Sequence, residues 1–340
     1  MKYRLLSSLL LLTIVCSVST AFGWGIWGHN HINKGAVLAL PAEMGMFFYN
    51  HSDFLTQEST VPDIRKYTIN DKAEFCRHYV NLEKYNYDGR EMMPKKLPEV
   101  ITKYGKDSAD RFGILPWYIQ DMMAKLTDAM KNKHKTQILF LAGDLGHYIG
   151  DAHMPLHTTV NHDGQSTGQN GIHSFWECQL PELFGKEYNL YSGETHYIKD
   201  IEKAVWDILD TSFLLSDKML TIEKKLKDQN PMDKQYEIGP DGKPKKNDFG
   251  QNIHSYEYAH IYHELLQGMV ERQMRSALVH TADFWYTAWV NAGKPDLSSM
   301  DPDYLDARNK PFYKEDIKAW KKGKVKGCAS ERDYPVMKGH

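Results

Sequence analysis

The chain has 340 residues, with 42 Lys+Arg against 44 Asp+Glu, 16 His, 41% hydrophobic and 12% aromatic residues, and a formal net charge of −2. That apolar content with so little net charge excludes an intrinsically disordered chain. The near balance of charge also excludes the bulk cationic surface that binds duplex nucleic acid without specificity, while the high histidine count points toward metal or acid-base chemistry.

In chain order, Lys2 and Arg4 precede an apolar run from Leu5 to Val18, which ends on Ala21-Phe22-Gly23. This is the charged, apolar and small-residue succession of a secretory signal peptide. It predicts a signal over 1–23, cleavage after Gly23 and a secreted or periplasmic mature protein. No later stretch approaches the roughly 18 consecutive apolar residues of a spanning helix, so an integral membrane protein is not expected. Cys16 would leave with the signal. The remaining Cys76, Cys178 and Cys328 permit at most one internal disulfide, so packing has to hold the fold.

Beyond the signal, apolar residues recur at helical spacing, as in Leu115, Ile119, Met122, Met123, Leu126 and Met130. Runs of β-branched residues with period two are scarce. The pattern predicts an all-α protein: one multi-helix domain over 24–295 and an extended or partly helical tail over 296–340. Helices are expected at 31–40, 115–131, 136–152, 173–183, 198–215 and 256–292. The lysine-rich stretch 224–250, punctuated by Pro231, Gly239-Pro240 and Asp241-Gly242, reads as a solvated loop or lid.

Two pattern matches fail on context. Gly23, Gly25 and Gly28 have dinucleotide-site spacing, but no strand precedes them. Gly164-Gln165-Ser166-Thr167-Gly168 has the spacing of a nucleophile elbow, but its neighbours are loop residues rather than a strand and a helix.

The informative segment runs from His147 through Asp151, His153 and Pro155 to His157, followed by His173 and Glu177. Residues four apart share a helix face, so His147 with Asp151 presents an imidazole beside a carboxylate, and His173 with Glu177 repeats the arrangement. Nitrogen and carboxylate oxygen together are what zinc accepts. Pro155 ends the first helix and lets His157 turn toward the second pair. Asp63 and His78 are upstream candidates. His260 with Glu264, beside His263, has the same spacing but reads as a solvated helix face.

These residues resemble a known family. Trp24-Gly25-Ile26-Trp27-Gly28-His29 is similar to the start of the mature zinc-dependent S1/P1 nucleases. The His147-x-x-x-Asp151-x-x-x-Pro155-Leu156-His157 block and His173-Ser174-x-Trp176 are similar to two further blocks of theirs. Bacterial zinc-dependent phospholipase C shares the superfamily and the ligand set. The resemblance implies a trinuclear zinc cluster at the base of a cleft in an all-α fold. It assigns Asp63, His78, His147 and Asp151 to one zinc and His157, His173 and Glu177 to a second. His29, Asp151 as a bridge, and the amino nitrogen and carbonyl oxygen of Trp24 go to the third. Only cleavage before Trp24 would free that amine.

A hydroxide between two zincs would then attack a phosphodiester in line, with the third zinc stabilising the leaving oxygen. Asp63 is the catalytic candidate to orient or deprotonate the nucleophile. Arg65 or Lys66 would face the phosphoryl oxygens, or else be solvated cations, and Asp144 is a candidate acceptor to orient His147.

Glu177 departs from the Asp usual in the nucleases and matches the phospholipase. Ile64 stands where the phospholipase has a tyrosine of its choline cage. The expected substrate is single-stranded nucleic acid or nucleotide, alternatively a phospholipid, with no stable protein partner. A non-catalytic secreted zinc-binding protein is the remaining alternative.

Overall fold

The computed structural model describes residues 24–191, 193–247 and 250–322. The signal segment, Cys16 and Cys328 lie outside them. Among the described residues the chain is helical, with isolated bridges in place of any strand.

The organising element is the helix Lys135–Ala152, whose residues from Leu145 onward are all buried. Its neighbours are Gly25–Ala39, Ser52–Glu58, Leu115–Lys131 and Met269–Asn291. Its C-terminal half, enclosed by these neighbours, approaches them closely only on a face where side chains are small. Gly143, Gly146 and Gly150 supply that face. A Cβ on Gly146 would stand 1.9 Å from Asn33 Oδ1, and one on Gly150 3.2 Å from the His29 ring.

Carbonyls of this helix also accept hydrogen bonds from outside it. Trp285 Nε1 donates to Ala142 O (3.0 Å), Trp24 Nε1 to Gly150 O (2.6 Å) and Ser212 Oγ to Ala152 O (2.7 Å). Asn33 Nδ2 donates to both Leu55 O and Gly143 O, so its side chain is pinned.

Leu115–Lys131 appears as its periodicity predicts, and the expected 136–152 helix starts one residue earlier. The first helix starts at Gly25, six residues before the apolar pattern announces it, because Trp24 and His29 are buried by the site rather than by an apolar stripe. The helix expected over 198–215 runs instead from Ile201 to Asp228. Asp200 caps it by accepting from Lys203 N (2.9 Å), and the Lys224–Asp228 pair, one turn apart, supports its last turn.

The solvated stretch therefore begins later than expected. It folds into a small ribbon pairing Tyr236 with His254 and Lys246 with Asn252. The helix expected over 256–292 is two helices, Tyr256–Leu265 and Met269–Asn291, broken where Gln267 and Gly268 take positive φ. Within the expected 173–183 helix, Phe175–Gln179 is π-helical. In the tail, Asp303–Lys321 is a helix, with Trp320 buried.

Gly146→Ala tests the packing of the central helix. Alanine favours the helix by about 1 kcal/mol over glycine. Here the added methyl would strike a side chain that cannot swing away, and overpacking of that kind costs about 1–3 kcal/mol. The variant is expected to unfold at lower urea concentration than the parent, whereas propensity alone requires a higher midpoint.

Candidate metal centre

Eight titratable residues from several segments converge beside the last turns of the central helix. His29 comes from Gly25–Ala39, Asp63 from Val61–Tyr67, and His147 and Asp151 from Lys135–Ala152. His78 follows Lys72–Phe75, on a segment laced into place by Val80 N to His157 O (2.8 Å), Ile114 N to Cys76 O (2.7 Å) and Asn81 N to Phe112 O (2.6 Å). His157 lies on the short turn Pro155–Thr158, and His173 and Glu177 flank the start of the π-helical turn. All eight are buried.

Asp151 joins them. Its Oδ2 lies 2.9 Å from His78 Nδ1 and 3.2 Å from His147 Nε2. Its Oδ1 lies 3.4 Å from His157 Nδ1 and 3.6 Å from His29 Nε2. Three compact groups result: His29 with His147 and Asp151; Asp63 with His78 and His147; and His157 with His173 and Glu177. In the last, His173 Nε2 is 3.1 Å from Glu177 Oε1 and 3.2 Å from His157 Nε2. Trp24 N is 3.1 Å from Glu177 Oε2, which sets the backbone nitrogen of Trp24 beside this group, whereas the resemblance assigns it with His29 and Asp151.

Burial governs the electrostatics. It pushes the Glu177 carboxyl up to about 7 against the pull of His173. It also raises Asp63, against His147, Lys66 and His78, and holds His29 and His157 well below ordinary imidazole. Burial would raise Asp151 too, but His147 and His157 outweigh it and keep that carboxyl well below the usual range. Burial disfavours charge on His147, yet Asp151 pushes it up to about 9.

The donor set suits a cation by its unpaired atoms as well as its chemistry. Both ring nitrogens of His29, Asp63 Oδ1, Asp151 Oδ1, His157 Nδ1 and Glu177 Oε1 are buried without a hydrogen-bond partner. Buried polar atoms are rarely left so, because each costs about 1–3 kcal/mol. Imidazole nitrogens and carboxylate oxygens facing one another at these distances are the ligands zinc takes.

Ring orientation is set by backbone carbonyls. His147 Nδ1 bonds Ser59 O (2.7 Å) and His173 Nδ1 bonds His162 O (2.6 Å), which turns each Nε2 inward. Asp144, expected to orient His147, accepts from Arg65 NH2 instead (2.7 Å). Arg65 also reaches Glu74 (3.2 Å) and Glu58 (3.8 Å), so its charge is committed behind the site. Glu74 accepts from Arg77 NH1 (2.9 Å) and from the Tyr148 hydroxyl, and stands 3.5 Å behind His78 Nε2.

Lys66, the other cation considered from sequence, is buried on the wall of a cleft of about 470 Å³ over the site. Its Nζ lies 3.8 Å from Asp63 Oδ1 and 4.5 Å from the Tyr67 ring centre. Burial would lower its pKa, but Tyr67 and Asp63 more than offset this and keep it protonated. Tyr67, Phe75, Tyr79, Asn81 and Arg111 continue that wall, and His162 and Gln251 complete the rim. Of these Gln251 had no signal in the sequence, because a ribbon closed by isolated bridges carries it. Tyr79 was discoverable as the neighbour of His78.

The remaining histidines separate as their spacing suggests. His260 and Glu264 are exposed, and His263 pairs with the Tyr188 hydroxyl (3.0 Å). Ser166 is on an exposed turn, which removes the nucleophile-elbow alternative. Gly25 and Gly28 lie at the start of the Gly25–Ala39 helix, Trp24 being its N-cap; position 23 is outside the described residues.

This is the architecture of a helical zinc phosphodiesterase. The chain matches the S1/P1 nuclease family model over residues 24–273 and belongs to that family, whose members are zinc-dependent hydrolases of phosphoric ester bonds. Comparison with curated proteins gave no match.

Zinc stripped by a chelator should leave the protein less thermally stable, since the buried carboxylates and imidazoles then lose their partner. A site saturated at about 100 times its Kd contributes about 2.7 kcal/mol by mass action. Calorimetry of chelated and zinc-reloaded protein checks this. Equal Tm values would show that the groups are satisfied without metal.

Proposed function

We propose that the chain is an exported nuclease that cleaves phosphodiesters of single-stranded nucleic acid or nucleotides. In this reading three zinc ions are held by Asp63, His78, His147 and Asp151; by His157, His173 and Glu177; and by His29, Asp151 and the backbone nitrogen and oxygen of Trp24. The observation that carries it is the set of buried, unpaired donor atoms lying under a cleft whose wall combines a buried cation with aromatic rings.

When bound, zinc polarises a phosphoryl oxygen and lowers the pKa of water at an open position. The chain's own residues supply the rest. Asp63 Oδ1, buried without a hydrogen-bond partner and 3.8 Å from Lys66 Nζ, accepts and orients the proton of the attacking water. The Lys66 ammonium neutralises the phosphoryl oxygens, and Asp63 in turn holds that ammonium in place.

Tyr79, with Phe75 and Tyr67 beside it, offers ring faces to an unpaired base, a sequence-tolerant contact of about 1–3 kcal/mol per base. Paired bases in a duplex have no free face, which is the physical source of a single-strand preference. The phospholipid alternative calls for an apolar rim. Asn81, Arg111, His162, Asp163 and Gln251 instead put polar and charged groups beside the aromatic rings of the lining.

The direct test assays the zinc-loaded protein beginning at Trp24 on single-stranded DNA, RNA, duplex DNA and phosphatidylcholine side by side. Turnover of the single strands above the duplex, with none of the lipid, is expected. Lipid hydrolysis with intact nucleic acids would replace this reading with the phospholipase one, and zinc-loaded protein inert on all four would favour the non-catalytic alternative.

The Trp24 assignment has its own test. Mass spectrometry of exported protein is expected to give Trp24 as the first residue. A variant retaining one extra residue there should bind less zinc, because an amide nitrogen is a far poorer ligand than a free amine. Unchanged zinc content would contradict ligation by the amine.

A further inference from the structure

A second concave surface of about 810 Å³ lies away from the metal groups. It is formed between the far end of Gly25–Ala39, residues Tyr191, Gly193, Glu194 and Thr195, and the C-terminal helix Asp303–Lys321. Its C-terminal wall falls outside the 24–273 span that matches the family. On that helix Tyr313, Ile317 and Trp320 share one face and dock it. Tyr313 packs at a tilt against Tyr49, ring centres 4.9 Å apart, and fills the space a Cβ on Gly45 would need, and Trp320 meets Tyr191 at 5.4 Å. Lys314, Lys318 and Lys321 stand one position round, in the same one-turn spacing, and Lys322 follows. All four line the concavity together with a single carboxylate, Glu194, and none has an ion-pair partner among the described residues.

The ordinary account of such lysines is that their stems lie along a docked helix and their charges stay in water. Two observations exceed it. Trp320 is buried, and its indole N–H has no hydrogen-bond partner although the residue lines the concavity, so a donor is left without an acceptor. The chain also continues past Lys322 as Gly323-Lys324-Val325-Lys326, so the tail carries the same charge and is a poor occupant for this surface. Lysines, an unpaired indole N–H and the rings of Tyr191 and Tyr286 together match a ligand with both phosphates and planar bases.

The position suits a long substrate. Leu38 on its wall and His29 in the metal centre lie on one helix nine residues apart, about 14 Å along the axis. Nine residues is also about two and a half turns, so the two lie on opposite faces of the helix, and only a strand long enough to run round the molecule engages both.

We infer that this concavity is an accessory site for single-stranded nucleic acid, where the lysines take backbone phosphates, the aromatic rings take a base and the Trp320 N–H meets an oxyanion. The inference rests on the nuclease reading and extends it from the bond cleaved to the strand that carries it.

The test compares zinc-loaded parent with the triple variant Lys314→Glu, Lys318→Glu, Lys321→Glu on a dinucleotide and on a strand of about 20 nucleotides, longer than one binding module covers. The expected result is a raised KM on the strand at unchanged kcat, with dinucleotide kinetics unaltered. The slope of log affinity against log salt should fall by about 2, as three lost phosphate contacts require. Trp320→Phe, which keeps the ring and deletes the donor, should weaken the strand in the same direction. This second variant guards against a triple variant that does not fold.

Affinity for a hydrolysis-resistant phosphorothioate strand, read by fluorescence anisotropy, separates the two readings. Equal affinity in parent and variants overturns the accessory site even if the strand is cleaved. Parent protein that binds the strand through these lysines but cleaves neither substrate overturns the nuclease reading and leaves the site standing.

Discussion

One buried carboxylate organises this protein. Asp151 is wholly enclosed, and its two oxygens divide four histidines between them, His78 and His147 on one side and His29 and His157 on the other. A buried anion is tolerated only where opposite charge or donors surround it. His147 shares its helix and His157 follows just beyond, but His29 and His78 come from distant stretches, so satisfying Asp151 requires those stretches to be in place together. The glycine face of the central helix follows from the same need, because His29 and Asn33 reach their positions only where that helix offers no side chain.

Around this centre, charges are arranged in two layers with different tasks. Behind it, Arg65 and Arg77 face Glu58, Glu74 and Asp144, a network that stiffens the wall holding His78 and reaches no substrate. In front, Lys66 turns toward the cleft. Adjacent basic residues at 65 and 66 thus serve opposite sides of one helix, and the distinction is made by which carboxylates wait on each side.

Legibility from the sequence followed the range of the interaction. The central helix and Leu115–Lys131 were readable because a local apolar period decides them. The His147-x-x-x-Asp151 and His173-x-x-x-Glu177 pairs were readable for the same reason, since one helical turn fixes their faces. The start of the first helix was not, because burial of Trp24 and His29 comes from contacts far along the chain. The extension of the 198–215 helix to Asp228 was hidden by lysines that suit a solvated helix end as well as a loop. The break at Gln267 and Gly268 depends on two positive-φ residues that a continuous apolar pattern conceals. Asp144 was misjudged because the sequence shows one turn of spacing to His147 but not the guanidinium arriving from Arg65. The cleft rim was the least visible part, as Gln251 is brought in by a ribbon with no periodic signature.

The hydrogen bond from Trp24 to Glu177 joins residues 153 positions apart. Contacts of such separation are costly to close, and a chain dominated by them folds slowly. During synthesis the first helix is made early, yet its partners at positions 147 to 177 emerge much later, at a pace of about 5–20 residues per second. The metal centre therefore cannot close until the chain has been made at least to residue 177. Its first ligands wait for their last, and the site is a property of the nearly whole chain rather than of any one helix pair.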